Sequence, residues 1–160
     1  MKVFVTSDTH FYHGKVIPFS KRPFKNAEEM NRVMIEKWNK KVSKNDLVFH
    51  LGDFAWASKK KIKQIKDQLN GTIILILGNH DWKNVYKKLG FIVAGKKVKV
   101  GNLVLTHHPI EVKNGLINVH GHIHQRRSYK GINACVDVTN FEPVPIETYF
   151  KKAKKNVRRE

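Results

Sequence analysis

Cysteine and long apolar runs are nearly missing from this sequence of 160 residues, and each shortage excludes a class of protein. The single cysteine, Cys135, excludes an intramolecular disulfide and is typical of a reducing compartment. The longest apolar run, residues 72–77, is too short to span a membrane and suits a buried strand. Residues 1–5 lack the layout of a signal peptide. We therefore expect a cytoplasmic protein with no membrane partner.

Acidic residues are also scarce, because 13 Asp and Glu accompany 31 Lys and Arg, which gives a net charge of +18. Such a charge favours anionic partners such as nucleic acids or nucleotides, through counterion release and electrostatic steering. Most of the basic residues are lysines, however, and a lysine excess can equally reflect a compositional bias and a solvated surface. Charge alone leaves nucleic-acid binding open, since it governs association and not fold.

Length and composition indicate one folded domain. A chain of 160 residues has room for a substantial core, and 41% hydrophobic residues is ordinary for a globular protein. The sequence shows no domain-boundary signature, internal repeat or low-complexity tract. We predict a single domain over residues 1–150, followed by a basic tail over residues 151–160.

Strands and helices alternate in the first half of the chain. Apolar strands are predicted over residues 2–6, 47–50 and 72–77, and two helices follow the capping residues Asn26 and Ser58. The third strand is apolar throughout, as expected at a central parallel position. This order predicts an α/β fold.

The second half changes to short strands separated by glycines. They are predicted over residues 97–100, 102–106, 116–120 and 132–138. Cys135 is expected to be a buried residue of the last one.

The nine histidines lie in or beside five short clusters at the ends of predicted strands. In open α/β sheets, ligands bind at the carboxyl ends of the strands. Imidazole and carboxylate together are ligands of borderline divalent metals, so the clusters predict a metal site with more than one ion. The clusters are Ser7-Asp8-Thr9-His10, His50-Leu51-Gly52-Asp53, Gly78-Asn79-His80-Asp81, Thr106-His107-His108-Pro109 and His120-Gly121-His122-Ile123-His124.

The order and spacing of these motifs resemble those of the calcineurin-like metallophosphoesterases over nearly the whole chain. The segments Ser7–Phe11, Arg22–Phe24, His50–Phe54 and Val136–Val138 are further similar to a small bacterial and phage branch of that superfamily. The resemblance implies a four-layer α-β-β-α sandwich, in which two mixed sheets are flanked by helices. It also implies metal-dependent hydrolysis of phosphoester bonds.

The resemblance implies a site for two divalent ions. Manganese is the first expectation, and iron, zinc, nickel and magnesium are compatible with the same mixed oxygen and nitrogen ligands. A carboxylate can span two cations, whereas an imidazole binds one, so Asp53 is expected to bridge them. One ion would be held by Asp8, His10 and His124, and the other by Asn79, His107 and His122.

His80 is the expected catalyst, which would contact a phosphoryl oxygen or protonate the leaving group. Asp81 is expected to orient its ring through the second ring nitrogen. The family pattern favours His107 over His108 as the ligand after residues 103–105. Adjacent strand residues point to opposite faces, so His108 is expected to line the substrate pocket instead.

Three further residues are predicted to contact substrate, and two of them have a simpler alternative. His13 follows the first motif, but an exposed loop histidine is an equal alternative. Arg22 could clamp a phosphate, although a surface arginine is the more common outcome. Arg126 follows the last motif closely enough to reach the pocket rim. His50 and His120 precede motif glycines and are expected to have structural roles.

The function that the resemblance implies is hydrolysis of a phosphoester, by a phosphodiesterase or a phosphatase, and the resemblance alone favours phosphodiesters. The basic charge favours nucleotides or nucleic acids as substrates. One alternative is a nucleic-acid-binding protein whose metal site is structural. Structural sites are ordinarily tetrahedral and often contain cysteine, and the ligands here are too many and too rich in oxygen for that. The other alternative is an inactive family member, although a suitable residue fills every expected ligand position.

Overall fold

The computed structural model describes residues 1–127 and 130–157 of the chain, which contain two mixed β-sheets. The first sheet has the order β4-β3-β2-β1-β9, in which β1 to β4 are parallel and β9 is antiparallel to β1. Its strands are β1 (Val3–Thr6), β2 (Leu47–His50), β3 (Thr72–Ile76), β4 (Ile92–Gly95) and β9 (Val144–Pro145).

The second sheet has the order β5-β6-β7-β8, in which β5 is antiparallel to β6 and the other pairs are parallel. Its strands are β5 (Lys97–Val100), β6 (Leu103–Thr106), β7 (Ile117–His120) and β8 (Ile132–Asn133). The helices are α1 (Val16–Phe19), α2 (Ala27–Lys41), α3 (Lys59–Gln68), α4 (Lys83–Lys88) and α5 (Ile146–Val157).

Two hydrophobic cores cover the faces of the first sheet. Alternate residues such as Phe4 and Val48 pack against α2, α3 and α4 on one face, and Val5 and Phe49 pack toward the second sheet on the other. The prediction of two mixed sheets flanked by helices is confirmed.

The two long helices of the first half begin where the sequence predicted. The side chain of Asn26 accepts a hydrogen bond from the backbone N–H of Glu29, and that of Ser58 accepts one from Lys61. No helix among the described residues is both long and apolar enough to cross a membrane.

The strand predicted over residues 132–138 is mostly wrong. Strand β8 ends at Asn133, whose side chain accepts the backbone N–H of Cys135 at 2.9 Å. The chain then crosses to the end of β1, where Cys135 forms an isolated bridge with Ser7, and it continues as a 3-10 turn over Val136–Val138. Cys135 is buried as expected, but it connects the two sheets instead of extending one of them.

Helix α5 passes through the boundary that was predicted between residues 150 and 151. Ile146 and Tyr149 lie before that boundary and Ala153 lies after it, yet all three are buried in the core between the sheets. The first part of the predicted tail therefore packs with the domain. Residues 158–160 of that tail lie outside the described residues.

Candidate metal centre

The side chains predicted as metal ligands follow five strands whose ends converge between the two sheets. Strands β1, β2 and β3 of the first sheet and β6 and β7 of the second each precede one or two of them. Among the described residues, three groups of His and Asp side chains could hold a metal ion, because their ligand atoms lie within 4.8 Å of one another. These groups are Asp8, His10 and His124; Asp8, Asp53 and His107; and His107, His108 and His122.

Five of the predicted ligands have a left-handed backbone conformation. The φ angles are 58° at Asp8, 49° at His10, 55° at Asp53, 70° at His122 and 51° at His124. Few residues other than glycine adopt such angles, and each instance costs on the order of 1–3 kcal/mol. Strain of this kind persists where the surrounding structure fixes it, and it is concentrated at functional sites.

Asp8 and His10 carry buried polar atoms that fit a bound cation. Asp8 Oδ1 and His10 Nε2 lie 3.8 Å apart, and neither has a hydrogen-bond partner within residues 1–127 and 130–157. Burial, and then the charge of Arg22, lowers the pKa of His10, so its ring is neutral at pH 7. A neutral imidazole and a carboxylate oxygen are the forms that bind a divalent metal.

Asp53 lies between the two halves of the site. Its Oδ2 atom is 3.6 Å from Nε2 of His10 and 3.5 Å from Nε2 of His107. Its Oδ1 atom accepts the backbone N–H of His80 at 3.0 Å, which fixes the plane of the carboxylate. The position of Oδ2 suits a carboxylate that is shared by two cations.

His107, Asn79 and His122 converge in the other half. The Nδ1 atom of His107 is 2.8 Å from the carbonyl oxygen of Leu51, which can only accept, so Nδ1 carries the proton. Nε2 of His107 then remains for another partner, and it lies 2.9 Å from Asn79 Oδ1, which can only accept, and 3.3 Å from His122 Nδ1. This convergence of nitrogen and oxygen atoms fits a shared cation.

His108 lies closer to the other ligands than the sequence predicted. Strand β6 ends at Thr106, so the alternation of strand side chains does not separate His107 from His108. The ring of His108 is exposed, and its centroid is 4.2 Å from that of His122. His108 is therefore a further candidate ligand by position, and it also lines a cavity beside His107, as expected for a substrate contact.

A cavity of about 320 Å³ opens over the centre. Two of the predicted substrate contacts, His13 and Arg126, line it beside candidate ligands such as His10 and Asp53. Lys15 and His80 lie in the same wall. The cavity is thus lined by a carboxylate and histidines at the metal centre and by the cationic side chains of Lys15 and Arg126 at its rim.

The family model described as calcineurin-like phosphoesterase matches residues 1–156. The chain belongs to this family. The family supports metal-dependent hydrolysis of phosphoester bonds, and the buried donor atoms of Asp8, His10 and Asp53 accord with that chemistry.

Relatives of this chain include proteins similar over nearly its whole length. It is 33% identical over 168 residues to the uncharacterized protein MJ1445 of Methanocaldococcus jannaschii, with 96% of this chain and 92% of the relative covered. A crystal structure of AQ665, a protein of unknown function from Aquifex aeolicus, has a TM-score of 0.74 at 24% identity and covers 94% of this chain and 98% of its own.

A third similar structure is the nuclease MPE of Pseudomonas putida. The TM-score is 0.52 at 18% identity, and the match covers 76% of this chain and 60% of the nuclease. At this identity the likeness concerns the fold alone.

One glycine of the phosphoesterase's Gly-His-x-His motif has a steric role. The Oδ2 atom of Asp8 accepts hydrogen bonds from Ser7 Oγ, from Cys135 Sγ at 3.1 Å and from the backbone N–H of His122 at 2.9 Å. A Cβ atom at Gly121 would collide with the Ser7 side chain and with this carboxylate. These donors direct Oδ1, the other oxygen of Asp8, toward the centre.

The structure corrects the prediction that Arg22 clamps a substrate phosphate. Its guanidinium is buried, and it donates to the carbonyl oxygens of Asp8 at 2.7 Å and Thr9 at 2.9 Å. It also donates to both carboxylate oxygens of Asp137, at 2.9 and 3.0 Å. The first two bonds hold the turn after β1 and the other two connect it to Asp137, so Arg22 supports the ligand loop and does not line the cavity.

Asp137 is the residue that sequence reasoning missed. Its Oδ2 atom is 2.9 Å from Nδ1 of His124, which leaves Nε2 as the ring nitrogen available to a metal. Burial raises the pKa of Asp137, but the hydrogen bonds from His124 and Arg22 outweigh that effect, and the net shift is downward. The segment Val136–Val138 carries a signal through its similarity to the small branch of the superfamily, but the sequence assigns Asp137 no role in the site and predicts a strand there.

Replacing Asp137 with Asn should weaken metal binding by about 10–100-fold, the usual effect of a group that orients a ligand histidine. The amide cannot supply the negative charge that stabilises the Nδ1–H of His124 and neutralises Arg22. Competition with a chelating dye, measured well below the thermal midpoint of the variant, tests this. Unchanged metal affinity in a folded variant would show that Asp137 acts on stability alone.

Asp81 does not orient the ring of His80, and that prediction is wrong. Its carboxylate accepts backbone N–H groups from Asp53 at 2.7 Å, Gly78 at 3.0 Å and Phe54 at 3.1 Å. Burial, the largest effect, raises the pKa of Asp81. Asp81 thus connects the loops that follow β2 and β3, and it positions Asp53 through the backbone.

His80 stands at the mouth of the cavity, where it can meet a substrate. Its side chain is 36% exposed, and Nε2 lies 3.8 Å from Asp53 Oδ2. The edge of the ring packs against Trp56, with 5.2 Å between centroids. A phosphoryl group above Asp53 would therefore lie within reach of His80.

His50 and His120 are fully buried behind the centre. A ring nitrogen of His50 is 2.9 Å from Thr9 Oγ1, and Nδ1 of His120 is 3.0 Å from the carbonyl oxygen of Gly121. Burial lowers the pKa of His50 to about 3, so its ring is neutral at physiological pH. Both rings contact the backbone or side chains of the loops that carry the ligands.

Proposed function

We propose that this protein is a two-metal phosphodiesterase that acts on nucleotide or nucleic-acid substrates. The observation that carries the proposal is the position of Asp53, whose Oδ2 atom is almost equally far from His10 and His107. One ion would bind Asp8, His10 and His124, and the other would bind Asn79, His107 and His122, with Asp53 between them.

The residues that bind the ions determine the net charge of the centre and therefore the chemistry that the ions would supply. When bound, two divalent ions lower the pKa of a water molecule and offset the charge that develops on the phosphoryl oxygens. Asn79 is neutral, and it limits the number of carboxylates to two, Asp8 and Asp53. The centre therefore keeps enough positive charge to attract a phosphate. Mixed oxygen and nitrogen ligands suit manganese first, with iron, zinc, nickel or magnesium as substitutes.

The residues of the cavity rim would bind and orient the substrate. Lys15 and Arg126 face the same opening as the ligands, where cationic groups can hold phosphoryl oxygens. His13 lies beside them, and its Nδ1 atom is 3.3 Å from that of His10. His80 would donate a proton to the oxygen of the leaving group.

Two observations favour nucleotides or nucleic acids as the substrate class. The net charge of +18 favours a polyanion. One protein of similar fold, MPE of Pseudomonas putida, is a nuclease. The reacting phosphate of a phosphodiester carries one negative charge. Two divalent ions that are bound by only two carboxylates would retain enough positive charge to neutralise it.

The purified protein should release nitrophenol from bis-nitrophenyl phosphate in the presence of manganese. Removing metal with a chelator should abolish the activity, and adding manganese back should restore it, because the proposed reaction needs bound ions to lower the pKa of the attacking water. Inactivity of the metal-loaded protein toward a broad panel of phosphomonoesters and phosphodiesters would contradict the proposal. Salt-dependent binding of DNA or RNA without any hydrolysis would favour a nucleic-acid-binding protein instead.

A further inference from the structure

A second cavity, of about 460 Å³, adjoins the proposed metal centre. His80 lines both cavities, so the second one begins where the leaving side of a substrate would lie. Two tryptophans form much of its wall, together with a lysine. We call it the aromatic cleft, and the side chains that concern its chemistry are Trp56, Lys59, Trp82, Val85 and Tyr86.

The two tryptophans of the aromatic cleft are exposed although indole is among the largest apolar side chains. Trp56 is 55% exposed and Trp82 is 73% exposed, whereas Trp38 is buried in the core. Trp56 follows Asp53 by three residues, and Trp82 follows Asn79 by three. Both indoles are therefore on the loops that carry proposed metal ligands, where exposed aromatic surface marks a binding site.

The backbone of the aromatic cleft is well anchored. The N–H of Trp56 donates to the carbonyl oxygen of Phe11 at 2.9 Å, and its ring stacks on His13 at 5.2 Å with an interplanar angle of 19°. The carbonyl oxygen of Trp82 accepts the N–H of Val85 at 2.9 Å at the start of α4. The stacking on His13 holds the ring of Trp56, so a base that stacks on it meets a surface already in place.

We propose that the aromatic cleft binds an unpaired nucleobase next to the scissile phosphate, by stacking on Trp82 and Trp56. This inference rests on the proposed function and specifies its substrate as a single-stranded oligonucleotide. Bases stack on aromatic side chains irrespective of sequence, because every base has a π-face. Lys59 stands in the same cleft and supplies a cation for an adjoining phosphate.

The opposite side of the centre suits the continuing backbone of such a strand. Lys96 and Lys97 line a cavity of about 350 Å³ together with His107 and His108. A strand whose scissile phosphate lies at Asp53 would place a base in the aromatic cleft and a neighbouring phosphate near these lysines. A positively charged track beside stacking surfaces is the usual arrangement for binding single strands.

The test compares two tetramers that carry the same phosphates, a thymidine tetranucleotide and an abasic analogue, on metal-free protein in EDTA. The thymidine tetramer should bind at least about tenfold more tightly and quench tryptophan fluorescence, since stacking contributes strongly to each bound base. The Trp82→Ala variant should lose most of this preference, and Trp82→Phe should keep much of it. Ile92→Ala removes another exposed apolar side chain, on β4, and should leave the preference unchanged.

Equal affinity of the wild-type protein for the two tetramers would overturn the inference, as would full preference in both Trp82→Ala and Trp56→Ala. Thermal midpoints of all variants verify that the fold is intact. The comparison does not depend on turnover, and removal of the ions affects both tetramers equally because they carry the same phosphates. If the protein hydrolyses phosphodiesters but binds the two tetramers with equal affinity, the result contradicts the inference about the aromatic cleft and leaves the proposed function standing. A protein that prefers the bases but is inactive with every metal supports the cleft and contradicts the proposed function.

Discussion

The Asp53→Asn variant is expected to hydrolyse bis-nitrophenyl phosphate at least about 10³-fold more slowly than the wild-type protein. This loss is larger than the one expected when a residue that only orients a metal ligand is replaced. The amide can still accept the backbone N–H of His80 through Oδ1, so the loop after β3 should remain in place. What changes is the side that faces His10 and His107, where the charged oxygen at 3.6 and 3.5 Å is replaced by an NH2 group, which donates hydrogen bonds and does not bind a cation. The variant should also retain fewer metal ions, which elemental analysis would measure.

The matched control is Asp67→Asn, the same chemical change at a distant position. Asp67 is on α3, its side chain is 53% exposed, and it pairs with Lys63 one helical turn away. Such an exposed pair contributes at most about 1 kcal/mol, so neither activity nor metal content should change. Substantial turnover by Asp53→Asn with a full complement of metal would refute the bridging role of Asp53.

The strands that carry the site were predictable because two local signals coincide there. Each of the segments 47–50 and 72–77 is an apolar run that stops at a glycine and a metal-type side chain. Parallel strands bring their carboxyl ends to one edge, so the loops that carry Asp53 and Asn79 are expected to be neighbours, and both side chains line the same cavity. The capped helices that begin after Asn26 and Ser58 were predictable for the same reason, since capping is a contact between near neighbours in sequence.

The groups that support the ligands were not predictable, because their partners are distant in sequence. Arg22 and Asp137 are 115 residues apart, and their pairing depends on how the chain crosses from β8 to the end of β1. Asp81 is adjacent to His80, so a direct partnership was the simple expectation. Three backbone N–H groups from two loops bind its carboxylate instead. Contacts between residues so distant in sequence produce no periodicity or spacing within one strand or helix, so the sequence alone could not predict them.

The His80→Asn variant should separate proton donation from metal binding. General acid catalysis by a positioned side chain contributes about 10²–10⁴-fold, and that factor should be lost for a substrate whose leaving group is an alkoxide. Thymidine dinucleotide is such a substrate. The nitrophenyl ester of thymidine monophosphate keeps the same nucleoside, but its phenolate departs without protonation, so the loss there should be much smaller. Metal content should match that of the wild-type protein, because His80 belongs to none of the three ligand groups.

A role for His80 in binding a non-bridging phosphoryl oxygen gives a different result. Both substrates would then be slowed equally, because that oxygen carries similar charge whichever group departs. The control is His13→Asn, a change in the same cavity wall at a residue whose ring contacts His10 and Trp56. It should affect KM for both substrates and leave the ratio of their rates unchanged. If the ratio of the rates on the two substrates changes only in His80→Asn, then His80 donates the proton to the leaving oxygen. The Nε2 atom of His80 would be close enough for this, because it lies 3.8 Å from Asp53 Oδ2.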